Sequence, residues 1–463
     1  MHIINAVNDF LWSYLLIAVL LGGGLYFTLR TRFVQVRMLP EMLRSLSASG
    51  RRHGHGLRGR SVSSFQAFAL SLASRVGTGN IAGVAIAIAT GGPGAVFWMW
   101  VTALLASANA FVESTLAQLF KVQGDHSFRG GPAYYISRGL GNRPWAVLFA
   151  ILITTTFALA FNGVQCNTMA IALESSFDIA PAWTGAITAA ATLAVICGGV
   201  RRIASVNQVV VPAMAALYIL LALYVVVTRF HMFTHVMELI ITDAFGLRQA
   251  VGGGIGMAVM MGVKRGLFSN EAGEGSTPNA AATAAVSHPV KQGLVQTLGV
   301  YVDTLLVCTA TAFIILCSGV FDSGLTGIEL TQCALEAEIG RAASAFVAVA
   351  VVLFAFTSII ANYYYGETNL AFIRDDRRLA WALRAAVGVV VLAGAIVPLN
   401  TAWALADITM ALMTLCNMLA ILLLGRYAIR CLDDYCRQRR AGRDPVYHSS
   451  TCPEIAGKTE CWK

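Results

Sequence analysis

The chain reads as an all-α polytopic membrane protein: one extra N-terminal span, then two five-span repeats inserted with opposite orientation. Three observations predict this. Apolar runs of about 20 residues, the length that crosses a hydrocarbon core, recur from end to end. Eleven can be counted, at 9–29, 63–89, 92–121, 145–173, 182–199, 206–228, 249–285, 293–318, 343–372, 379–398 and 402–424. The chain is 57% hydrophobic and 12% charged, with a mean hydropathy of +0.67, about half the charge of a soluble domain. Finally, Arg75-Val76-Gly77-Thr78-Gly79-Asn80-Ile81-Ala82-Gly83 and Arg265-Gly266-Leu267-Phe268-Ser269-Asn270-Glu271-Ala272-Gly273 coincide at four of nine positions.

The first run lacks a basic leader and a small-residue cleavage site, so it reads as a retained span. Setting it aside leaves ten spans, five opening on each of the two polar stretches. A five-span unit has odd parity, so its second copy must insert upside down. The expected divisions are 1–60 (extra helix and basic loop), 61–228 (first repeat), 229–424 (second repeat) and 425–463 (tail).

The net charge of +9 does not mark a nucleic-acid binder, because of where the cations sit. If the C-terminus lies inside, 29 of the 33 Lys and Arg fall in inner segments, including Lys264 and Arg265. That is the positive-inside pattern of a bacterial inner-membrane protein with its N-terminus outside. Lys264 beside Arg265 then suggests that this end of its span is near cytoplasmic water. The Arg51 to Gly56 stretch reads as an orientation signal touching anionic lipid. Within the outer loop 319–342, Ile328 to Ile339 is expected to be an interfacial amphipathic helix. The charged tail is expected to be partly disordered. The ten Cys show no disulfide framework or metal-ligand spacing. The absence of a Walker A sequence and of His within a span argues against a pump or an intramembrane metalloprotease. A channel is the remaining rival.

Broken, glycine-rich segments at matching positions of two halves point to a binding site in a secondary transporter. Unpaired N–H and C=O groups are tolerated at membrane depth only where they line a cavity. After the first break, the N–H groups of Thr78, Gly79, Asn80 and Ile81 would face a carboxylate, aided by the positive end of the half-helix. Gly77 and Gly79 permit close backbone approach, and Ser269 is the small residue that matches Gly79 in the second stretch.

Four motifs, SLASRVGTGNIAG (71–83), GGPGAVFWMW (91–100), FRGGPAYYI (128–136) and RGLFSNEAGEGSTPNAAA (265–282), resemble the bacterial alanine/glycine:cation (sodium:alanine) symporter family. One departure is Ala106, where the family signature closes with Gly. The resemblance implies a leucine-transporter-type fold with 11 transmembrane helices, and the partners sodium, a small neutral amino acid and the lipid bilayer. It implies no other cofactor, no nucleic acid and no obligatory protein partner; a proton is the alternative coupling ion. It also implies sodium ligands: the carbonyls of Ala73 and Val76 and the hydroxyls of Thr357 and Ser358. Gln165, with Asn162 beside it in FALAFNGVQCN (157–167), would contact substrate. Phe161 and Phe268 would wall a pocket small enough to favour alanine or glycine over leucine.

Arg75 and Arg265 each need a partner, since a cation at a helix centre costs about 3 kcal/mol on insertion scales. The C-terminal dipole of a half-helix is one answer; Glu113, Glu271, Asp303 and Asp407 are the carboxylate candidates.

Overall fold

The structure is a computed structural model and describes residues 8, 10–47, 62–124, 127–246, 254–340 and 342–462. The Arg51 to Gly56 stretch lies outside the described residues. Among the described residues, seven helices are long and apolar enough to cross a membrane, or eight if the bent pair Ser64–Arg75 and Gly79–Gly91 is one span. The other three expected spans are helical but fall short of that standard. Pro181–Ile196 is 16 residues long, Gly254–Asn270 is separated from Thr277–Ala282, and Arg377–Gly394 carries three Arg.

The two polar stretches break differently. A capping box between Ser63 and Gln66 starts the first half-helix. It ends at Arg75, and the chain bends by 48° before Gly79–Gly91. The second helix does not break at Arg265. It runs on to Asn270, so Phe268 lies in a helical turn and the break is confined to 271–276. The residues there explain the shift. Glu271, Gly273 and Gly275 have φ of 54°, 95° and 91°, a region glycine enters at little steric cost and other residues rarely do. A Cβ on Gly275 would lie 2.7–2.8 Å from Pro132, Asn417 and Phe149.

Other expectations are overturned. Gly327–Ile339 is a helix, but Ile328, Leu330, Thr331, Gln332, Ala334 and Leu335 are buried in protein. Thr331 Oγ1 donates to Ile81 O at 3.3 Å and Gln332 Nε2 to Ala172 O at 3.1 Å. This helix caps the first break with its buried face. Arg265 lines a cavity of about 550 Å³ together with Asn8, Asp322 and Asp407, and Lys264 is tied to it through Asp407 Oδ2 at 2.6 Å. They therefore sit at the end of the molecule that holds the 319–342 loop, not at the end expected to face the cytoplasm. That leaves 27 of 33 cations on the inner side by the same count.

The tail is also ordered where it is described. The last long helix, Leu399–Arg440, has 42 residues. At 1.5 Å per residue it is about 60 Å long, twice the hydrocarbon thickness. The chain then folds back. Tyr447 N donates to Ser287 O at 2.9 Å, Glu460 pairs with Arg138 at 2.7 Å, and Trp462 Nε1 donates to Gln118 O at 2.8 Å. The amine of Lys121, buried between Gln118, Ala284 and the rings of Phe128 and Trp462, is pulled down by burial to about 7. Aromatic and ionic anchors hold a segment whose composition alone suggested disorder. A two-residue hairpin, with Val122 opposite Arg129 and Gln123 opposite Phe128, joins the Gly94–Leu119 and Arg143–Phe177 helices.

Candidate functional site

The breaks meet in the middle of the molecule. A Cβ on Gly79 would lie 2.9 Å from Phe268 Cδ1 and 3.4 Å from Ser269 Cα, so the first break packs directly on the second helix. Thr78, Asn80, Phe161, Gln165, Phe268 and Ser269 are all at most 4% exposed. Gly77 N donates to Asn80 Oδ1 at 2.9 Å and Thr78 N to Gln165 Oε1 at 3.1 Å. Gln165 therefore occupies an N–H that the sequence offered to a carboxylate. The hydroxyl of Thr78 is buried without a partner.

Asp303 joins the first break to the Gly254–Asn270 helix, a role that sequence reasoning missed. Asn80 Nδ2 donates to its Oδ1 at 2.6 Å, while Ser269 Oγ and Thr304 Oγ1 donate to its Oδ2 at 2.9 and 2.8 Å. The signal was present: a carboxylate in an apolar run marks function by default.

One side of this space is a row of rings. Phe157 and Phe161 have centroids 4.7 Å apart, Phe161 and Phe268 4.5 Å, and Phe268 and Trp403 4.6 Å. Phe161 and Phe268 are thus brought together, with Phe157 and Trp403 as unexpected extensions. Beyond Trp403, the Arg265 guanidinium stacks on its ring at 4.3 Å and meets both oxygens of Asp407 at 3.1 Å. Lys264 Nζ lies 2.6 Å from Asp407 Oδ2. Asp407 thus answers for Arg265. Arg75 is held differently, by Gln296 O at 2.9 Å and Thr277 Oγ1 at 3.2 Å. Only Arg75 ends a half-helix; Arg265 lies one turn and more before its helix ends.

The expected ion ligands lie beside the first break. Ser358 Oγ lies within hydrogen-bond distance of two carbonyls, Ala73 O at 2.7 Å and Phe354 O at 3.0 Å, and its one hydrogen serves one of them. Thr357 Oγ1 bonds back to Phe354 O at 2.9 Å within its own helix. A Cβ on Gly77 would lie 2.5 Å from Ser358 Oγ and 3.0 Å from Gln165 Nε2, so glycine keeps this corner open between the two sets of candidates. Hydroxyl and carbonyl oxygens without sulfur are the donor set a hard cation prefers. Asn162 lies one step away, with Nδ2 facing Ala158 O at 3.1 Å and Ile359 O at 3.4 Å.

Residues 1–449 match the profile of the sodium:alanine symporter family. The chain belongs to that family. Similar curated proteins include the probable sodium/glutamine symporter GlnT of Bacillus subtilis, 49% identical over all of this chain and 96% of its own length. The amino-acid carrier protein AlsT of the same organism is 50% identical, covering 100% of this chain and 97% of its own. The sodium/alanine symporter AgcS of Methanococcus maripaludis is 36% identical across 91% and 94% of the two chains. Among solved structures, MhsT in complex with L-phenylalanine superposes with a TM-score of 0.59 at 13% identity, covering 86% of this chain and 92% of that one. Mhp1, a nucleobase-cation-symport-1 family transporter, gives 0.53 at 14%, covering 83% and 80%. Identity this low bears on fold alone, and the fold is of the leucine-transporter type. Family membership makes the protein a multi-pass membrane transporter and not an enzyme.

Proposed function

We propose that the chain couples inward sodium movement to uptake of small neutral amino acids, alanine and glycine, by alternating access. The observation that carries this reading is the aromatic row Phe161–Phe268–Trp403 packed against the first break. It sets a wall of rings beside the groups that would read an amino acid's two charges, which favours a small side chain. In this reading Thr78, Gly79, Asn80 and Gln165 take the carboxylate and ammonium, with Ser269 beside them, and Phe161 and Phe268 limit the side chain. Sodium is held by the carbonyls of Ala73 and Val76 and by Thr357 and Ser358; a proton is the alternative driver. In this reading the chain has eleven spans, with repeats at 61–228 and 229–424, its N-terminus outside a bacterial inner membrane and its tail in the cytoplasm.

Purified protein in liposomes is expected to take up labelled alanine on an inward sodium gradient and to stop when potassium replaces sodium. Equal uptake in potassium with no pH gradient overturns the coupling. Excess glycine should abolish the signal. Glutamine, named for one relative, should compete weakly, because its longer side chain meets the rings.

The ion assignment has its own check. The double variant T357A/S358A should raise the sodium concentration needed for half-maximal uptake at least about tenfold, the loss expected when a hard cation forfeits oxygen ligands worth about 1.4 kcal/mol or more. Unchanged sodium dependence overturns it.

A further inference from the structure

Glu271 stands at the start of the second break, 1% exposed and with φ of 54°. Its Oε1 lies 2.5 Å from Ser74 Oγ and its Oε2 2.6 Å from Ser276 Oγ. Ser74 Oγ also lies 2.7 Å from Asn362 Oδ1. A serine hydroxyl has one hydrogen and so can serve only one of these acceptors. The choice is made further along the chain of bonds. Asn162 turns one end of its amide to two backbone carbonyls, those of Ala158 and Ile359, at 3.1 and 3.4 Å. Carbonyls only accept, so that end is the nitrogen and the oxygen faces Asn362. Asn362 must then present its own nitrogen, at 3.1 Å, and turn its oxygen to Ser74. Ser74 donates to Asn362, and the Ser74–Glu271 contact has a hydrogen only if the carboxyl supplies it.

A shared cation does not account for the contact. Two oxygens from different side chains that share one cation repel each other and keep apart, whereas 2.5 Å is the length of a short O–H···O hydrogen bond. Charge balance favours the proton as well. Arg75 of the first half-helix faces this region together with Glu274 of the break, Glu113 of the Gly94–Leu119 helix and Asp303 of the Pro289–Ser318 helix. One guanidinium among four buried carboxyls cannot leave all four ionised without a large cost. Glu274 Oε2 is fully buried here without a partner, and the Tyr365 hydroxyl is fully buried facing Ser74.

We propose that Glu271 is a proton-binding site that the transport cycle fills on closing and empties on opening. The proposal rests on the symport reading above. The Ser74–Asn362 bond ties the first half-helix to the Ala342–Ile373 helix. Alternating access rocks one group of helices against another, and opening parts this bond. Ser74 then has its hydrogen free for Glu271, and the carboxyl can release its own as H⁺ to water without leaving a bare oxygen pair. Closing reverses both transfers, so acid favours the closed, substrate-holding state.

The test measures alanine binding to the purified protein in saturating sodium, stepped from mildly acid to mildly alkaline pH. Wild type should lose roughly tenfold in apparent affinity per pH unit on the alkaline limb, as linkage to one proton requires. Glu271→Gln, whose amide donates to Ser74 at every pH, should flatten that limb. A wild-type slope retained in the variant, or no slope in wild type, overturns the proposal. Absence of sodium-dependent binding at every pH would instead overturn the symport reading. Infrared spectra read the site even if the variant does not bind. A neutral-carboxyl band present in wild type and lost in folded Glu271→Gln supports it, and a band unchanged by the substitution overturns it.

Discussion

Replacing Gly79 by Val is expected to abolish alanine uptake while leaving the protein folded and inserted. The sequence supplied one reason, close approach of the backbone to a carboxylate. The structure supplies a more direct one. A Cβ at this position lies 2.9 Å from Phe268 Cδ1 and 3.2 Å from Cε1, distances at which the ring must move. It has nowhere to go, because Phe161 and Trp403 flank it at 4.5 and 4.6 Å. Valine adds two methyls beyond the Cβ, and overpacking of this kind typically costs about 1–3 kcal/mol. That is small against insertion of many apolar spans, so the damage should stay local to the pocket. Uptake in liposomes, read beside surface labelling and gel filtration of the variant, checks it. Undiminished uptake would remove the first break from the site.

What the sequence made legible was pattern, and what it hid was pairing. Two polar glycine-bearing stretches in apolar runs announced broken helices at matching places, because hydrocarbon forbids unpaired backbone unless it lines a cavity. The same pattern drew Thr78, Gly79 and Asn80 toward Ser269. The length of the second helix was less visible. Arg265 to Asn270 carries no residue that must leave helical geometry, and only the glycines after Glu271 force the chain out.

Partners separated by long stretches of chain were beyond reach. Asp407 lies 142 residues from the Arg265 it binds, and Asp303 lies 223 from Asn80. Four carboxyls were compatible with each arginine until helices were packed. The side of Lys264 and Arg265 was misread for a related reason. Counting cations assigns loops to a face, but a cation inside a helix answers to its partner and not to the field of the membrane. The tail was misread because disorder was inferred from polarity, whereas Tyr447, Cys452 and Ile455 bury against the helix ends. Trp403, on the far side of Phe268, had no local signature that separates a pocket wall from an ordinary core aromatic.

Phe268→Ala is expected to have the opposite character to the glycine variant: it should open the site without destroying it. The ring is the middle member of the row, touching Phe161 on one side and Trp403 on the other. Its removal leaves a gap bounded by both rings and by Gly79, the position where a side chain one or two carbons longer than alanine's would extend. Hydrophobic contacts on this scale discriminate by about 1–3 kcal/mol, so alanine should bind about 10- to 200-fold more weakly without being lost. Valine and leucine should compete poorly in the wild type and well with labelled alanine in the variant, because the ring that excludes them is gone. The sodium requirement should persist, since Ala73 and Ser358 do not touch the ring in the described contacts and their mutual bond of 2.7 Å is unaffected by it. Competition curves for glycine, alanine, valine and leucine in both proteins are the measurement. A profile identical to wild type would make Phe268 a packing residue and move the limit on side-chain size to Phe161 or Trp403.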